Sequence, residues 1–257
     1  MKAFDRVVNS LRLEGRRALV TGASSGFGAH FAQLLSAAGA EVVLAARRTD
    51  KLQALTATLN EQGGKASSVA LDVSSRISVQ DCFDQAGVCD IVINNAGVTV
   101  TRAMLDQTEA DWDSVIDTNL KGCWLVATEA ARRMRDVGLA GCIVNVGSVL
   151  GERVAAGVAP YAISKAGVIQ ATKVMALELA RHKIRVNALL PGYVVTDLNR
   201  DFLDSEPGQN LRKRVPMREF VQMSDLDAPL LMLASDASAG MTGACIAVDR
   251  GHLVSSL

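Results

Sequence analysis

The sequence predicts an α/β protein, a doubly wound parallel sheet of about seven strands with helices on both faces, folded as a single domain over residues 1–257. Three observations lead there. Short β-branched runs alternate with longer amphipathic stretches along the whole chain. The strand candidates are near-continuous Val/Ile/Leu runs, as strands covered on both faces require. The chain has 257 residues, 49% hydrophobic and 21% charged, which suffices for one core of this class. No linker, internal repeat or low-complexity segment divides it.

The elements follow in order. Residues 17–21 form a first strand, and a helix over 26–38 is stopped by Gly39. A second strand covers 41–46. Asp50 is placed to cap a helix running to about Gln62, where Gly63-Gly64 ends it. A third strand at 66–71, a short helix at 78–86 and a fourth strand at 90–94 come next. A long helix spans 109–137 and ends at Gly138. The fifth strand is 141–147, a second long helix covers 161–181, and the sixth strand is 184–190. Residues 197–220 read as irregular, with Pro207 and Pro216 bracketing a charged stretch. A helix over 225–235 and a strand over 244–248 complete the chain.

Composition excludes several function classes. Lys+Arg and Asp+Glu both number 27, so the net charge is zero and the basic excess of a nucleic-acid binder is missing. Neither a signal-peptide-like apolar run at the N-terminus nor a run of ~18 apolar residues occurs, so the expectation is a cytoplasmic protein with no membrane span. The five cysteines (Cys82, Cys89, Cys123, Cys142, Cys245) are scattered among apolar residues and read as reduced, buried thiols. With no C-x-x-C and with His30, His182 and His252 far apart, no metal site is expected.

In an open parallel sheet, ligands bind at the carboxyl ends of the strands. After the first strand comes Thr21-Gly22-Ala23-Ser24-Ser25-Gly26-Phe27-Gly28. Glycine permits the positive φ of a tight turn and puts no Cβ between backbone N–H groups and a ligand. The helix N-terminus adds unpaired donors and a partial positive charge that suit a pyrophosphate. Between a strand and a helix at the head of an alternating chain, these glycines predict a dinucleotide site. The second strand ends Leu44-Ala45-Ala46-Arg47-Arg48. A carboxylate there would bond a ribose 2′-hydroxyl and repel a 2′-phosphate. The guanidinium of Arg47 offers instead a rigid fork of donors. One charge-assisted bond of about 1.5–3 kcal/mol favours the phosphorylated cofactor by roughly 10- to 150-fold. NADP(H) is therefore expected in preference to NAD(H).

Tyr161 and Lys165 stand four apart in a helix and so share a face. A nearby cation is expected to lower the tyrosine pKa toward a useful acid–base range. Ser148 follows the fifth strand, where a hydroxyl can bond a substrate oxygen as charge develops on it. Asn119 sits inside the long helix 109–137, an unfavourable position for asparagine that calls for a reason.

Together these motifs resemble the short-chain dehydrogenase/reductase family. The turn T-G-x-x-x-G-x-G is met at every fixed position. Ser148 with Tyr161-x-x-x-Lys165, Asn94-Asn95-Ala96-Gly97, and Pro191-Gly192-Tyr193-Val194-Val195-Thr196 look like the family's other motifs, across nearly the whole chain. The resemblance implies a Rossmann-like fold in which Tyr161 exchanges a proton with the substrate oxygen and Ser148 orients that oxygen. It implies that Lys165 lowers the tyrosine pKa and holds the nicotinamide ribose, and that Asn119 supports a water in a proton relay through Lys165. The implied cofactor cleft is lined by Gly22, Ser24, Ser25, Gly26, Phe27, Gly28, Arg47, Arg48, Asn94, Ala96 and Gly97. Asp72 and Val73 meet the adenine there, and Pro191, Gly192, Val194 and Thr196 lie by the nicotinamide, along with Tyr161 and Lys165. On the substrate side the resemblance implies Ser148, Leu150, Tyr161 and Tyr193, with Val149 and the 197–220 segment carrying Phe202 and Leu203.

The function expected is NADPH-dependent, reversible reduction of a ketone or aldehyde on a largely apolar small molecule. Reduction of 3-oxoacyl groups on a carrier protein or CoA is the alternative, and an NADP(H)-binding sensor is the non-enzymatic one. Leu177 stands where carrier-directed relatives often place a basic residue. The connection from Asp72 to Asn94 is shorter than is usual in the family, and Arg250 stands where relatives commonly have glycine. A homotetramer or homodimer packed through the two long helices is also implied. Trp112 and Trp124 are open to either an interface or a core reading.

Overall fold

The computed structural model of the chain describes residues 2–196 and 200–255, apart from the side chain of Phe202. Seven strands form one sheet: β1 (Arg17–Thr21), β2 (Glu41–Ala46), β3 (Lys65–Ala70), β4 (Ile91–Asn94), β5 (Gly141–Val146), β6 (Ile184–Pro191) and β7 (Cys245–Val248). Their order is β3-β2-β1-β4-β5-β6-β7, and every pairing is parallel. The chain thus winds outward from β1 in one direction and from β4 in the other. Between these two strands the connections leave on opposite sides and a crevice opens at the strand ends.

Strand alternation, with both faces of the sheet covered, explains why the central strands are apolar at most positions. Ala18, Val20, Val42, Leu44 and Val144 join one core with Phe31, Leu35, Leu230 and Leu233. Leu19, Val43, Val92 and Ile143 join the other with Phe83, Val126, Met134 and Met175. The helices α2 (Gly26–Ala37), α3 (Thr49–Glu61) and α10 (Asp227–Ala234) therefore cover one face. The opposite face is covered by α4 (Arg76–Ala86), α6 (Gly122–Asp136) and α7 (Ala159–Leu179). Each large side chain so buried contributes about 1.5–3 kcal/mol. The cysteines are all free, four of them buried and Cys245 half-buried. No helix among the described residues is long and apolar enough to cross a membrane.

Several boundaries differ from the sequence reading. An exposed N-terminal helix, α1 (Ala3–Ser10), precedes the sheet. Asp50 does not cap α3, whose N-cap is Arg48; its carboxylate instead lies in the first turn, facing the helix's positive end. Pro160 starts α7 before Tyr161, since proline suits a first turn that needs no donor. The segment read as irregular contains α8 (Arg200–Asp204) and α9 (Glu206–Arg212). Ser205 caps α9 through Gly208 N at 3.4 Å, and Pro207 sits in its first turn. Residues 197–199 and the Phe202 side chain, part of the expected substrate segment, lie outside the described residues.

The long helix is not regular. It begins as α5 (Glu109–Ile116), with a reciprocal cap between Thr108 and Asp111. A π-turn at Asp117–Lys121 follows, and the helix continues as α6. Asn119 sits in that turn, which is the reason its position required. Arg250 adopts a left-handed backbone, φ 56°, as glycine would. Its guanidinium holds Asp225 at 2.6 Å and Glu219 at 3.5 Å.

Close approach of α2 to β1 depends on one missing side chain. A Cβ on Gly28 would lie 2.4 Å from the Gly22 carbonyl oxygen and 2.6 Å from Asn95 Nδ2. Gly28→Ala is expected to destabilise the fold by about 1–3 kcal/mol. Urea unfolding of the two chains checks this.

Candidate active site

The crevice at the strand ends is a cleft of about 1040 Å³. Its floor at one end is the glycine turn. Gly22 and Gly26 have φ of 67° and 54°, and a Cβ on Gly22 would lie 2.9 Å from Ala96 Cα. The turn is therefore closed to side chains yet open to a ligand on its outer side, where Ser24, Ser25 and Phe27 line the cleft. This is a cradle that fits a dinucleotide pyrophosphate. Thr21 knits β1 to β4: its hydroxyl accepts from Asn95 N and Ala96 N, both at 3.0 Å, while Asn95 Nδ2 donates to the Thr21 carbonyl at 2.9 Å.

Two guanidiniums stand beside this turn. Arg48 donates to Ser24 Oγ at 2.9 Å and to Ser25 Oγ at 2.6 Å, which places a basic group against the turn. Arg47 is exposed, and its charge acts on Asp72. The Asp72 carboxyl is held below its ordinary range, first by the Ser74 hydroxyl, at 2.7 Å, with Arg47 adding to the effect. Asp72 and Val73 line the cleft, as do Ala96, Gly97, Pro191, Gly192, Val194 and Thr196.

At the far end, Ser148, Tyr161 and Lys165 converge on the cleft. Ser148 follows β5; its hydroxyl accepts from Leu150 N at 3.1 Å and acts on the Tyr161 phenol. Lys165 is only 4% exposed, and its Nζ donates to the Val146 carbonyl at 2.7 Å. Burial drives its pKa from 10.5 down to about 8, opposed weakly by the adjacent Cys123. The expected lowering of the tyrosine pKa is not found. Burial raises it above 10.0, and the Ser148 hydrogen bond only partly offsets this. The ammonium lies 5.6 Å from the centre of the phenol ring, over its face.

Asn119 does not line the cleft. Its Oδ1 accepts from Val98 N at 2.8 Å, and its Nδ2 donates to the Val98 carbonyl at 2.9 Å and to Ser164 Oγ at 3.1 Å. It thus fastens the chain after Gly97 to α7 beside Lys165. Asn94 also departs from the expectation, because its side chain points beneath the cleft. The parallel register pairs it with Asn145, to whose Oδ1 it donates at 3.0 Å, and it donates to the Cys123 carbonyl at 3.1 Å. Asn145 in turn donates to Thr172 Oγ1 at 2.9 Å and accepts from Cys123 Sγ at 3.3 Å. Asn95, one residue on, takes the cleft position. Gly28 likewise serves packing and not the lining. On the substrate side Val149, Leu150, Tyr193 and Leu203 line the wall, joined by Val158 and Thr101, which the sequence reading missed.

The buried lysine makes stability depend on pH in a defined direction. Unfolded, it keeps its proton up to 10.5; folded, it releases it near 8. The unfolded chain binds more protons between those values, so raising the pH across that window stabilises the fold. Relative to Lys165→Met, the parent chain is expected to gain unfolding free energy from near-neutral pH to pH ~10. Parallel urea-unfolding profiles would refute the buried charge.

Known proteins resemble the chain in sequence and in fold. Residues 22–252 match the family model described as enoyl-(acyl carrier protein) reductase. The chain is 35% identical over 246 residues to carbonyl reductase [NADPH] 2 of Sus scrofa, covering 95% of this chain and 99% of that one. It is 35% identical over 245 residues to a 3-oxoacyl-[acyl-carrier-protein] reductase of Chlamydia pneumoniae, covering 94% and 98%. Among solved structures, a gluconate 5-dehydrogenase of Burkholderia cenocepacia in complex with NADP and tartrate superposes with a TM-score of 0.91 at 34% identity, covering 97% and 99%. On these matches the chain belongs to the short-chain dehydrogenase/reductase family and is an NAD(P)-dependent oxidoreductase.

Proposed function

We propose that the chain reduces the carbonyl of a small, largely apolar ketone or aldehyde with NADPH, reversibly. The observation that supports this most is the joining, in one cleft, of a glycine turn flanked by two arginines with a hydroxyl pair backed by a buried ammonium. The bound nicotinamide supplies the hydride, or accepts it in oxidation. Ser148 and Tyr161 receive the substrate oxygen. Because burial holds the phenol protonated at neutral pH, Tyr161 is ready to donate its proton in the reductive direction. Lys165, charged below about 8, stabilises the phenolate left behind. Asn119 holds the Val98 backbone and Ser164 next to that lysine, at the corner where a water relay through Lys165 would begin. Val149, Leu150 and Val158 exclude water from the reacting carbonyl.

NADPH preference rests on Arg47 and Arg48, with no carboxylate at the end of β2. Carbonyl reductase [NADPH] 2 and the NADP-bound gluconate 5-dehydrogenase give the same direction. The exposure of Leu177 (81%), with no basic residue in its place, weighs against carrier-protein thioesters as substrates. A homo-oligomer through α5–α7 belongs to the same reading, which Trp112 and Trp124 favour by being partly exposed and not core residues.

Two substitutions test the assignments. Tyr161→Phe is expected to keep NADPH affinity and lose about 10²-fold or more in kcat on a panel of ketones, aldehydes, diketones and 3-oxoacyl thioesters. Turnover confined to thioesters would select carrier-linked reduction instead. Arg47→Ala is expected to raise the Kd for NADPH by roughly 10-fold or more while leaving that for NADH nearly unchanged. Equal losses in a fluorescence titration would end the NADPH assignment.

A further inference from the structure

One wall of the cleft is held from behind by the end of the chain. Tyr193, which lines the cleft, stacks its ring on His252, with centroids 5.4 Å apart and planes 25° apart, and meets Phe220 at 6.4 Å. Beyond Arg250, which Asp225 holds at 2.6 Å, Gly251 turns the chain against Pro216 with a φ of 85°. Residues 251–255 then form a short clasp. Asp249 accepts from Gly251 N at 2.9 Å and from Leu253 N at 2.6 Å, and Val254 N donates to the Gly251 carbonyl at 3.1 Å. Arg153 donates to the His252 carbonyl and to Ser255 Oγ. Within the clasp only His252 is buried, so its closure depends on that one imidazole.

The imidazole is poorly prepared for a second proton. Its Nδ1 is buried and has no hydrogen-bond partner among the described residues. In the doubly protonated ring both nitrogens are donors, and an N–H at Nδ1 would have nothing to accept it. Burial disfavours the imidazolium most. Arg153 after β5 and Arg214 after α9 oppose it as well, while Asp249 after β7 favours it. The net effect holds the His252 pKa below 6.5. The fourth facing group, Tyr193, is kept neutral by burial, which raises its pKa above 10.0. Released into water, the imidazole takes its proton near its ordinary value of about 6.5. The open clasp therefore binds more protons than the closed one. Closure is at full strength above about 6.5 and weakens as the pH falls below it toward the folded value.

We propose that His252 is a proton-operated latch: when its imidazole takes a proton from solvent, residues 251–255 release, Tyr193 loses its stack, and the substrate wall of the cleft loosens in mild acid. The glycine turn and the two arginines lie at the other end of the cleft and are left in place. Arg250 and Gly251 serve as the hinge, because the ion pair to Asp225 stays outside the part that opens.

Amide hydrogen exchange of the full chain, followed by mass spectrometry, reads the clasp directly. With the intrinsic rate at each pH divided out, protection of residues 251–255 is expected to fall about threefold or more between pH ~7.5 and pH ~5. Protection of β6 is expected to stay within about 1.5-fold over the same range. His252→Phe keeps an aromatic ring for the stack but cannot take the proton, so its clasp is expected to be equally protected at both values. A smaller loss in the parent chain, or a loss that β6 shares, overturns the latch even if the variant does not fold. An equal loss in a folded His252→Phe overturns it too. No turnover enters these measurements, so the reductase reading stands or falls separately.

Discussion

One buried charge constrains everything around it. The Lys165 ammonium, taken out of water in the middle of the molecule, costs several kcal/mol unless its surroundings answer it. They do so from several elements. The end of β5 offers the Val146 carbonyl, and the first turn of α7 lays the face of the Tyr161 ring over the charge. The chain after β4 passes as Gly97, where a Cβ would stand 3.7 Å from Nζ and 3.4 Å from Asn119 Oδ1. Beneath lies the bonded set of Asn94, Asn145, Cys123 and Thr172, which ties β4 and β5 to α6 and α7. Burial of a polar network this complete rigidifies the platform on which the lysine stands.

The sheet order determines where that platform meets the cofactor cleft. Because β1 and β4 are neighbours whose connections leave in opposite directions, the glycine turn after β1 and the Asn95-Ala96-Gly97 passage after β4 face each other across a narrow gap. Thr21 closes that gap with two backbone N–H groups, while glycine at positions 22 and 28 lets the walls approach. The arginines after β2 then border one end of the crevice and the Ser148 hydroxyl after β5 borders the other. The polar groups that line the cleft lie at strand ends, and the strand interiors are left to packing apart from buried, hydrogen-bonded amides such as Asn145 in β5 and Asn187 in β6.

The strands and the helices that cover them were legible because periodicity and punctuation agreed for each. The exposed α1 was not read, although Phe4, Val7, Val8 and Leu11 carry a helical spacing, because that stripe packs into no core. The helix α9 was signalled by Ser205-Glu206-Pro207, a cap followed by a first-turn proline, but charge and proline content suggested a loop. Asn94 and Asn95 could be told apart only by knowing where β4 ends, since one step along a strand reverses the direction of a side chain. The direction of the Tyr161 pKa was hidden for another reason. An i, i+4 spacing shows that a lysine shares the tyrosine's face, but it says nothing of how deeply both are buried or whether the ammonium meets the oxygen or the ring.

The π-turn at Asp117–Lys121 has a consequence for the length of the chain itself. It accommodates one residue more than an α-helical path between the same endpoints, and each residue in an α-helix advances the face by about 100°. Excising one residue there would restore regular winding between the same endpoints and leave Leu125, Val126 and Ala130 facing the sheet, while removing the widened turn that holds Asn119 against Val98. The extra residue thus sets not the register of the long helix but the placing of one amide beside the buried lysine.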